Sequence, residues 1–403
     1  MPPRPPIRIS AYTAVSALGA GKAAHLEALR AHRSGLTPLG PHDFGAAVMA
    51  QELDTWVGHV EGLKAPLPDR WAHWDCRTNR LAWQGLLADG MGDAVRAAVL
   101  AHGAQRVAVV LGSSTASIGA TEDAYQGLAA TGHFPPQPDN PRLHTLHSLV
   151  GFVQEALGVQ GPGLTVSTAC SSSAKAFASA ERLLALDLAD AVLVGGVDSL
   201  CGSVVFGFNA LQLVSPEPCR PFDTARRGIN LGEAAGFALL ERGPGHLQLL
   251  GCGESSDAHH LSAPHPGGLG ALAALDQALA RAQRSASEID YLHTHGTATP
   301  HNDCAEAALI AQRFSVHTAV SSTKGATGHT LGAAGVLGAM FALIAIETGW
   351  VPGTVGTNIA DPAIAPYLRL LPSQARVRTA VCNAFAFGGS NAVLVFGAGE
   401  GAP

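Results

Sequence analysis

An α/β fold is predicted by three observations. Short apolar runs that read as strands alternate with longer runs at helical spacing along most of the chain. The 403 residues, 47% apolar and only 14% charged, are enough to bury a large core, as one large or two fused domains. Forty-seven glycines occur without a low-complexity block, which suits tight turns and close-packed helices rather than disorder.

In order, strands are expected at Val107 to Gly112 and at Thr165 to Ala169, followed by a helix from Ser171 to about Asp187 and a strand from Ala191 to Gly196. Strands are then expected over Phe237 to Glu241 and Leu247 to Gly251, a helix over Gly270 to Gln283, and strands ending near His293 and Ser321. A helix from about Gly332 to Thr348 and strands at Thr379 to Asn383 and Asn391 to Phe396 close the pattern. No fixed repeat of roughly 20 to 50 residues is visible, which speaks against solenoids and propellers. Trp56 to Arg80 and Leu128 to His147 are irregular and rich in Pro, His or Trp, and read as excursions that shape a pocket or a dimer contact.

Composition excludes several classes. A formal net charge of −6 speaks against a broad nucleic-acid footprint. Arg70, Arg77 and Arg80, and Arg220, Arg226 and Arg227, are local basic clusters that either dock an acidic partner or pair with nearby acids such as Asp75 and Asp223. Seven scattered cysteines and a proline-rich start unlike a signal peptide suggest a reducing cytoplasm. Apolar runs such as Ala333 to Ile346 fall short of the roughly 18 to 20 residues that span a bilayer, so no membrane span is expected. His259, His260, His301 and Cys304 lack metal-ligand spacing, and no metal is expected.

The chemistry starts at Cys170, at a strand-to-helix junction where unpaired N–H groups and the helix dipole favour thiolate. A lone cysteine more often packs as a small apolar group, so partners matter. Thr294-His295-Gly296-Thr297 and Thr323-Lys324-Gly325-Ala326-Thr327-Gly328-His329 each follow a strand-like run, where open α/β sheets place active sites. The small residues from Gly332 to Gly335 would let His329 approach Cys170. Phe385 to Asn391 is a glycine-rich turn, either purely structural or a source of N–H groups for an oxyanion.

Thr168-Ala169-Cys170-Ser171-Ser172, His295-Gly296-Thr297 with Pro300 and Asp303, Lys324 through His329, and Phe387-Gly388-Gly389 together resemble the β-ketoacyl-acyl carrier protein synthases. Cys219 to Asp223 and Ser256 to His260 extend the resemblance over nearly the whole chain. It implies a thiolase-like fold, five layers αβαβα from two related halves, divided at 1–252 and 253–403. It implies that Cys170 takes an acyl chain from a carrier-protein thioester, with its own N–H and that of Phe387 forming an oxyanion hole. His295 and His329 would hold the malonyl thioester carbonyl while CO2 leaves, and the enolate would attack acyl-Cys170. Lys324 completes the catalytic set; Glu306, Asp303, Asp257, Phe385, Gly388 and Gly389 support it; Thr115 and Phe208 are expected in the acyl pocket. No resident cofactor is implied, since phosphopantetheine arrives on the acyl carrier protein with malonyl and acyl groups. The expected assembly is a homodimer or a heterodimer with a paralogous subunit.

Two departures stand out. Where relatives carry a carboxylate in the helix after the second His, this chain has Gly338, leaving Glu306 as the expected partner of buried Lys324. Ala386 stands where many relatives have Gly and narrows the loop's backbone choices. With Leu111 to Ile118 and Ser16 to Gly19, this loop is similar to the condensing enzymes of bacterial aryl polyene pigment clusters. A non-elongating, chain-length-factor-like subunit would typically lack Cys170. A thiolase would carry a second catalytic cysteine near the closing loop, where Phe387 stands and Cys382 precedes it.

Overall fold

The computed structural model describes residues 6–40, 53–134 and 141–399. Ten strands carry the fold: β1 Ile7–Ser16, β2 Val107–Gly112, β3 Gly163–Val166, β4 Ala191–Asp198, β5 Ala234–Arg242, β6 Leu247–Ser256, β7 Tyr291–His293, β8 Ala319–Ser321, β9 Thr379–Ala386 and β10 Ser390–Ala398. In the first half the order is β3-β2-β4-β5-β1, and in the second it is β8-β7-β9-β10-β6. Each set runs third, second, fourth, fifth, first, with the first three neighbours parallel and the last two pairings antiparallel. The halves are thus topological copies, joined edge to edge between β1 and β6 at Ile7 with Leu249 and Arg8 with Gln248. The second copy opens at Leu247, so a division at 252 and 253 falls inside β6.

The helices used below are α1 Arg77–Leu87, α2 Met91–His102, α3 Ser148–Leu157, α4 Ser172–Ala185, α5 Gly202–Ala210, α6 Leu269–Ala282, α7 Pro300–Arg313 and α8 Ala334–Thr348. The layers follow from which faces are apolar. α4 and α8 share one hydrophobic cluster with residues of both sheet halves, among them Phe177, Phe341, Val194, Leu240, Leu394 and Phe396. They form the middle layer. α1, α2 and α3 cover the outer face of the first half around Leu81, Val95 and Phe152, and α6 and α7 cover the second around Leu275 and Ile310. Five layers, αβαβα, result.

α8 is apolar all round because it has no solvent face. With its leading turn it runs Leu331–Thr348, 18 residues, which makes the apolar stretch longer than the sequence suggested. Length and composition alone would pass for a membrane span, but 83% of it lies buried between the sheets. Close approach of the two central helices requires Gly335: a Cβ there would lie 2.7 Å from the Ala174 backbone nitrogen.

Within the segment Trp56 to Arg80, only His59, Val60 and Glu61 line a cleft, one separate from that of Cys170; much of the rest packs as core. Trp71 and Trp74 are buried, Trp71 packs on Trp83 at 4.7 Å and on Phe152 at 6.0 Å, and α1 begins at Arg77. Aromatic burial turns this stretch into outer core. In the region Leu128 to His147, a helix runs to Thr131 and a single turn covers Pro141–His144; residues 135–140 lie outside the described residues.

The basic clusters are largely neutralised. Arg80 donates to Asp75 at 2.7 Å, Arg77 to buried Glu233 at 2.8 Å, and Arg226 to Asp361 at 3.0 Å, while Arg220 and Arg227 both reach Glu217. Arg70 lies over the Trp71 ring at 4.0 Å. Pairing with nearby acids therefore accounts for five of the six arginines, although Asp223 takes three backbone N–H groups instead of an arginine.

Candidate active site

The internal repeat dictates where the site forms. Cys170 lies between β3 and α4, and His329 lies between β8 and α8, so the pseudo-symmetry brings the two helix starts together. His295 follows β7, the neighbour of β8. Cys170 and His295 adjoin backbone in the left-handed region, Ala169 at φ 51° and Gly296 at 35°, and His329 follows Gly328 at 70° with Leu331 at 55° two residues on. Non-glycine residues held there cost about 1 to 3 kcal/mol each, strain that the surrounding core must sustain.

Cys170 Sγ lies 3.1 Å from His329 Nε2. The His329 Nδ1 accepts the Leu331 N–H at 3.3 Å, which leaves the ring proton on Nε2, aimed at the sulfur. The His295 ring stands edge-on to His329, centroids 5.3 Å apart and planes at 86°. Burial and the nearby Lys324 ammonium drive both imidazoles well below the usual histidine range, so both are neutral at pH 7. Neutral rings can each present an N–H to an oxygen that gains negative charge.

The backbone N–H groups of Cys170 and Phe387 both face the sulfur. The Phe387–Gly389 turn holds Phe387 in place: Gly388 N–H donates to Leu261 O at 2.7 Å, and Asp257 N–H donates to Gly389 O at 2.8 Å. Asp257 in turn accepts Asn391 at 2.8 Å and the His265 N–H at 2.9 Å. The sulfur itself is not a preformed thiolate. Burial pushes the Cys170 thiol up to about 12; Lys324 and the two N–H groups pull in the other direction without overcoming it. The expectation from the helix start fails because desolvation outweighs a helix dipole.

Lys324 corrects a second expectation. No ion pair joins it to Glu306 among the described residues; its ammonium donates to the His295 carbonyl. Glu306 takes the N–H groups of His295 and Gly296, both at 2.8 Å, and the Asn383 amide at 3.0 Å. The carboxylate is satisfied by donors nearer than the lysine, and the two side chains grip opposite sides of the same peptide turn. Burial lowers the Lys324 pKa, and the charge of Glu306 partly restores it. Asp303, pushed up to about 6 by burial, accepts the Phe222 N–H at 2.7 Å and anchors the Cys219 to Asp223 segment.

Thr115 does not face the cleft as expected. Its hydroxyl donates to Asp198 at 2.7 Å, and Asp198 also accepts Ser113 Oγ, Ser114 Oγ and the N–H groups of Ser114, Thr115 and Gly332. That carboxylate ties the loop after β2 to the turn after His329. The sequence reading passed over it, although a lone acid ending the apolar strand β4 was a visible signal. Asn383 gave no such signal, since an asparagine in a strand names no partner 77 residues away.

Cys170, His295 and His329 open into one cleft of about 660 Å³ including its mouth. Phe208 on α5, Leu213, Ile229, Phe385 and Phe387 give it apolar walls, and Thr297, Thr299 and Asn302 lie along it. Phe208 stacks on Phe387 at 5.6 Å and 26°, forming a flat aromatic wall. Cys382 is buried with its thiol toward Gly335 O at 3.7 Å and does not line the cleft. No group of three or more His, Cys, Asp or Glu among the described residues could hold a metal ion.

Residues 80–245 match the family description "Beta-ketoacyl synthase, N-terminal domain", and residues 246–358 match "Beta-ketoacyl synthase, C-terminal domain". The chain is 38% identical over 269 residues to the mitochondrial 3-oxoacyl-[acyl-carrier-protein] synthase of Arabidopsis thaliana, covering 61% of this chain and 58% of that protein. It is 30% identical to the 3-oxoacyl-[acyl-carrier-protein] synthase 2 of Coxiella burnetii over 96% of this chain and 97% of that one. Among solved structures, it superposes on a chain of the ketosynthase–chain length factor complex from Xenorhabdus doucetiae with a TM-score of 0.88, 35% identity and 98% coverage of both chains.

Proposed function

The chain belongs to the β-ketoacyl synthase family, and we propose that it extends an acyl group held on Cys170 by decarboxylative condensation with malonyl on an acyl carrier protein. The observation that carries this reading is the convergence of the Cys170 sulfur, two neutral histidines and two backbone N–H groups in one apolar cleft.

The Cys170 thiol adds to the carbonyl of an acyl-carrier thioester, the N–H groups of Cys170 and Phe387 hold the oxyanion, and the carrier thiol leaves with the proton. Malonyl thioester then binds with its carbonyl oxygen toward His295 and His329. Its terminal C–C bond breaks, CO2 departs, and the electron pair becomes an enolate held by the two N–H donors. The enolate carbon attacks acyl-Cys170, the C–S bond breaks, and the sulfur takes up a proton from solvent. A thiol pKa pushed up to about 12 favours that last step. Lys324 adds positive charge to the site without contacting the substrate oxygen, since its ammonium donates to the His295 carbonyl and does not line the cleft.

The carrier protein brings its own phosphopantetheine arm, and no resident cofactor enters the reaction. The protein works in the cytoplasm as a dimer with itself or with a paralogous subunit; its seven free cysteines suit a reducing compartment. The flat wall formed by Phe208 and Phe387, with Ala386 restricting the loop, supports a conjugated, aryl-headed acyl chain of the aryl polyene kind. Turnover with a carrier-bound aryl-enoyl thioester is expected to exceed that with a saturated thioester of equal length. A preference for the saturated chain would return the protein to ordinary fatty acid synthesis.

A further inference from the structure

We infer that His293 is a positioning residue for this reaction, joining the turn that carries Lys324 to the loop that carries His295; the inference rests on the condensing reading above. His293 ends β7, two residues before His295. Its Nε2 lies 3.0 Å from the Thr323 hydroxyl, and Thr323 immediately precedes Lys324, whose ammonium donates to the His295 carbonyl. The chain path from His293 to His295 and that from Thr323 to Lys324 are thus cross-linked at both ends. Ser322 adds a further tie, its hydroxyl donating to Gly296 O at 2.8 Å and accepting the Lys324 N–H at 3.3 Å, but the His293 link is the one that fixes the Thr323 side chain itself.

The imidazole sits in a close-fitting seat. A Cβ on Gly338 would lie 2.8 Å from His293 Nδ1 and 2.7 Å from the sulfur of Cys382, which pairs with His293 across the parallel strands. Any side chain at Gly338 would displace the ring. Phe341, one turn further along α8, stacks on it at 5.7 Å and 15°, and Tyr291 meets it edge-on. The Nδ1 atom is buried without a hydrogen-bond partner. An imidazole that leaves one nitrogen unsatisfied is an expensive way to fill apolar space, and its other nitrogen does the linking. Burial and Lys324 hold its pKa down at about 3, so the link adds no second cation beside the ammonium.

Four variants test this: His293→Phe, which fills the space; His293→Gln, whose amide nitrogen reaches the position of Nε2; Thr323→Val, which removes the partner at constant volume; and the double variant His293→Phe/Thr323→Val. The readouts are CO2 release from malonyl-carrier thioester and the rate of Cys170 alkylation by iodoacetamide. His293→Phe and Thr323→Val should each lower kcat for CO2 release about tenfold with KM within about twofold, as expected for a misplaced turn. The double variant should be no slower than the singles, and His293→Gln should recover to within about threefold. Parent-like kcat in Thr323→Val, or effects that multiply in the double variant, would overturn the inference, and Thr323→Val decides even if His293→Phe fails to fold. If the parent protein released no CO2, the condensing reading would fall instead. The positioning role would then stand or fall on whether alkylation of Cys170 slows in Thr323→Val and His293→Phe and recovers in His293→Gln.

Discussion

At the scale of single residues, the resting state of Cys170, the proposed nucleophile, is the sharpest consequence of the geometry. With its pKa pushed up to about 12, Cys170 carries only a small thiolate fraction at neutral pH, and that fraction grows about tenfold per pH unit. Alkylation of Cys170 by iodoacetamide should therefore climb steadily from pH 6 to pH 9. A plateau with an inflection near neutrality would mean a preformed thiolate and contradict the assignment. Cys170, His295 and His329 were legible in the sequence because each follows a strand-like run and each sits in a motif. Thr115 and the Lys324 to Glu306 pairing were misread because side-chain partners are set by tertiary distance. Asp198 captures the Thr115 hydroxyl across 83 residues, and Glu306 is filled by N–H groups before the lysine can reach it.

At the scale of elements, the turn after β7 is held from both sides by α7 and by the Lys324 turn, and Glu306 is its chief anchor. Glu306→Gln replaces one acceptor oxygen with a donor that faces an N–H or the Asn383 amide. A loss of about 1.5 to 3 kcal/mol in stability is expected, with slower CO2 release because His295 shifts. Denaturant titration and a CO2 assay check this together; a variant equal to the parent in both would remove Glu306 from the site. Strand and helix positions were readable wherever the period was clear: β2, β7 and β8 end where the apolar runs end, and α8 runs to Thr348 as expected. The Trp71 region was not, because a packed aromatic excursion and a surface loop share the same irregular composition.

At the scale of the whole molecule, the buried histidines make stability depend on pH. His25 and His293, together with the cleft histidines His295 and His329, all have pKa values lowered by burial, His293 to about 3. The unfolded chain takes up protons near pH 6.5 while the native state does not, so stability present above that pH is lost as pH falls below it. Each such histidine contributes a slope of up to about 1.4 kcal/mol per pH unit. Asp303, raised to about 6, opposes them, since the native state protonates it before the unfolded chain does. The net effect is a steep fall in thermal midpoint between about pH 6.5 and pH 5. Calorimetry showing a flat midpoint over that range would contradict the burial of these rings. The five-layered architecture itself entered the sequence reading through the family motifs; the internal repeat, visible in the matched strand orders of the two halves, left no fixed period in the residues.

The division of labour between the sulfur and the two histidines is the centre of the account, and one experiment separates them. Parent, Cys170→Ala, His295→Ala and His329→Ala proteins are incubated with acyl-carrier thioester and with malonyl-carrier thioester, while intact mass and CO2 release are followed. Cys170→Ala should carry no acyl adduct yet still release CO2. Each histidine variant should acquire the adduct while releasing CO2 more slowly by on the order of 10²-fold. An acyl adduct on Cys170→Ala, or equal loss of both steps in the histidine variants, would contradict the assignment.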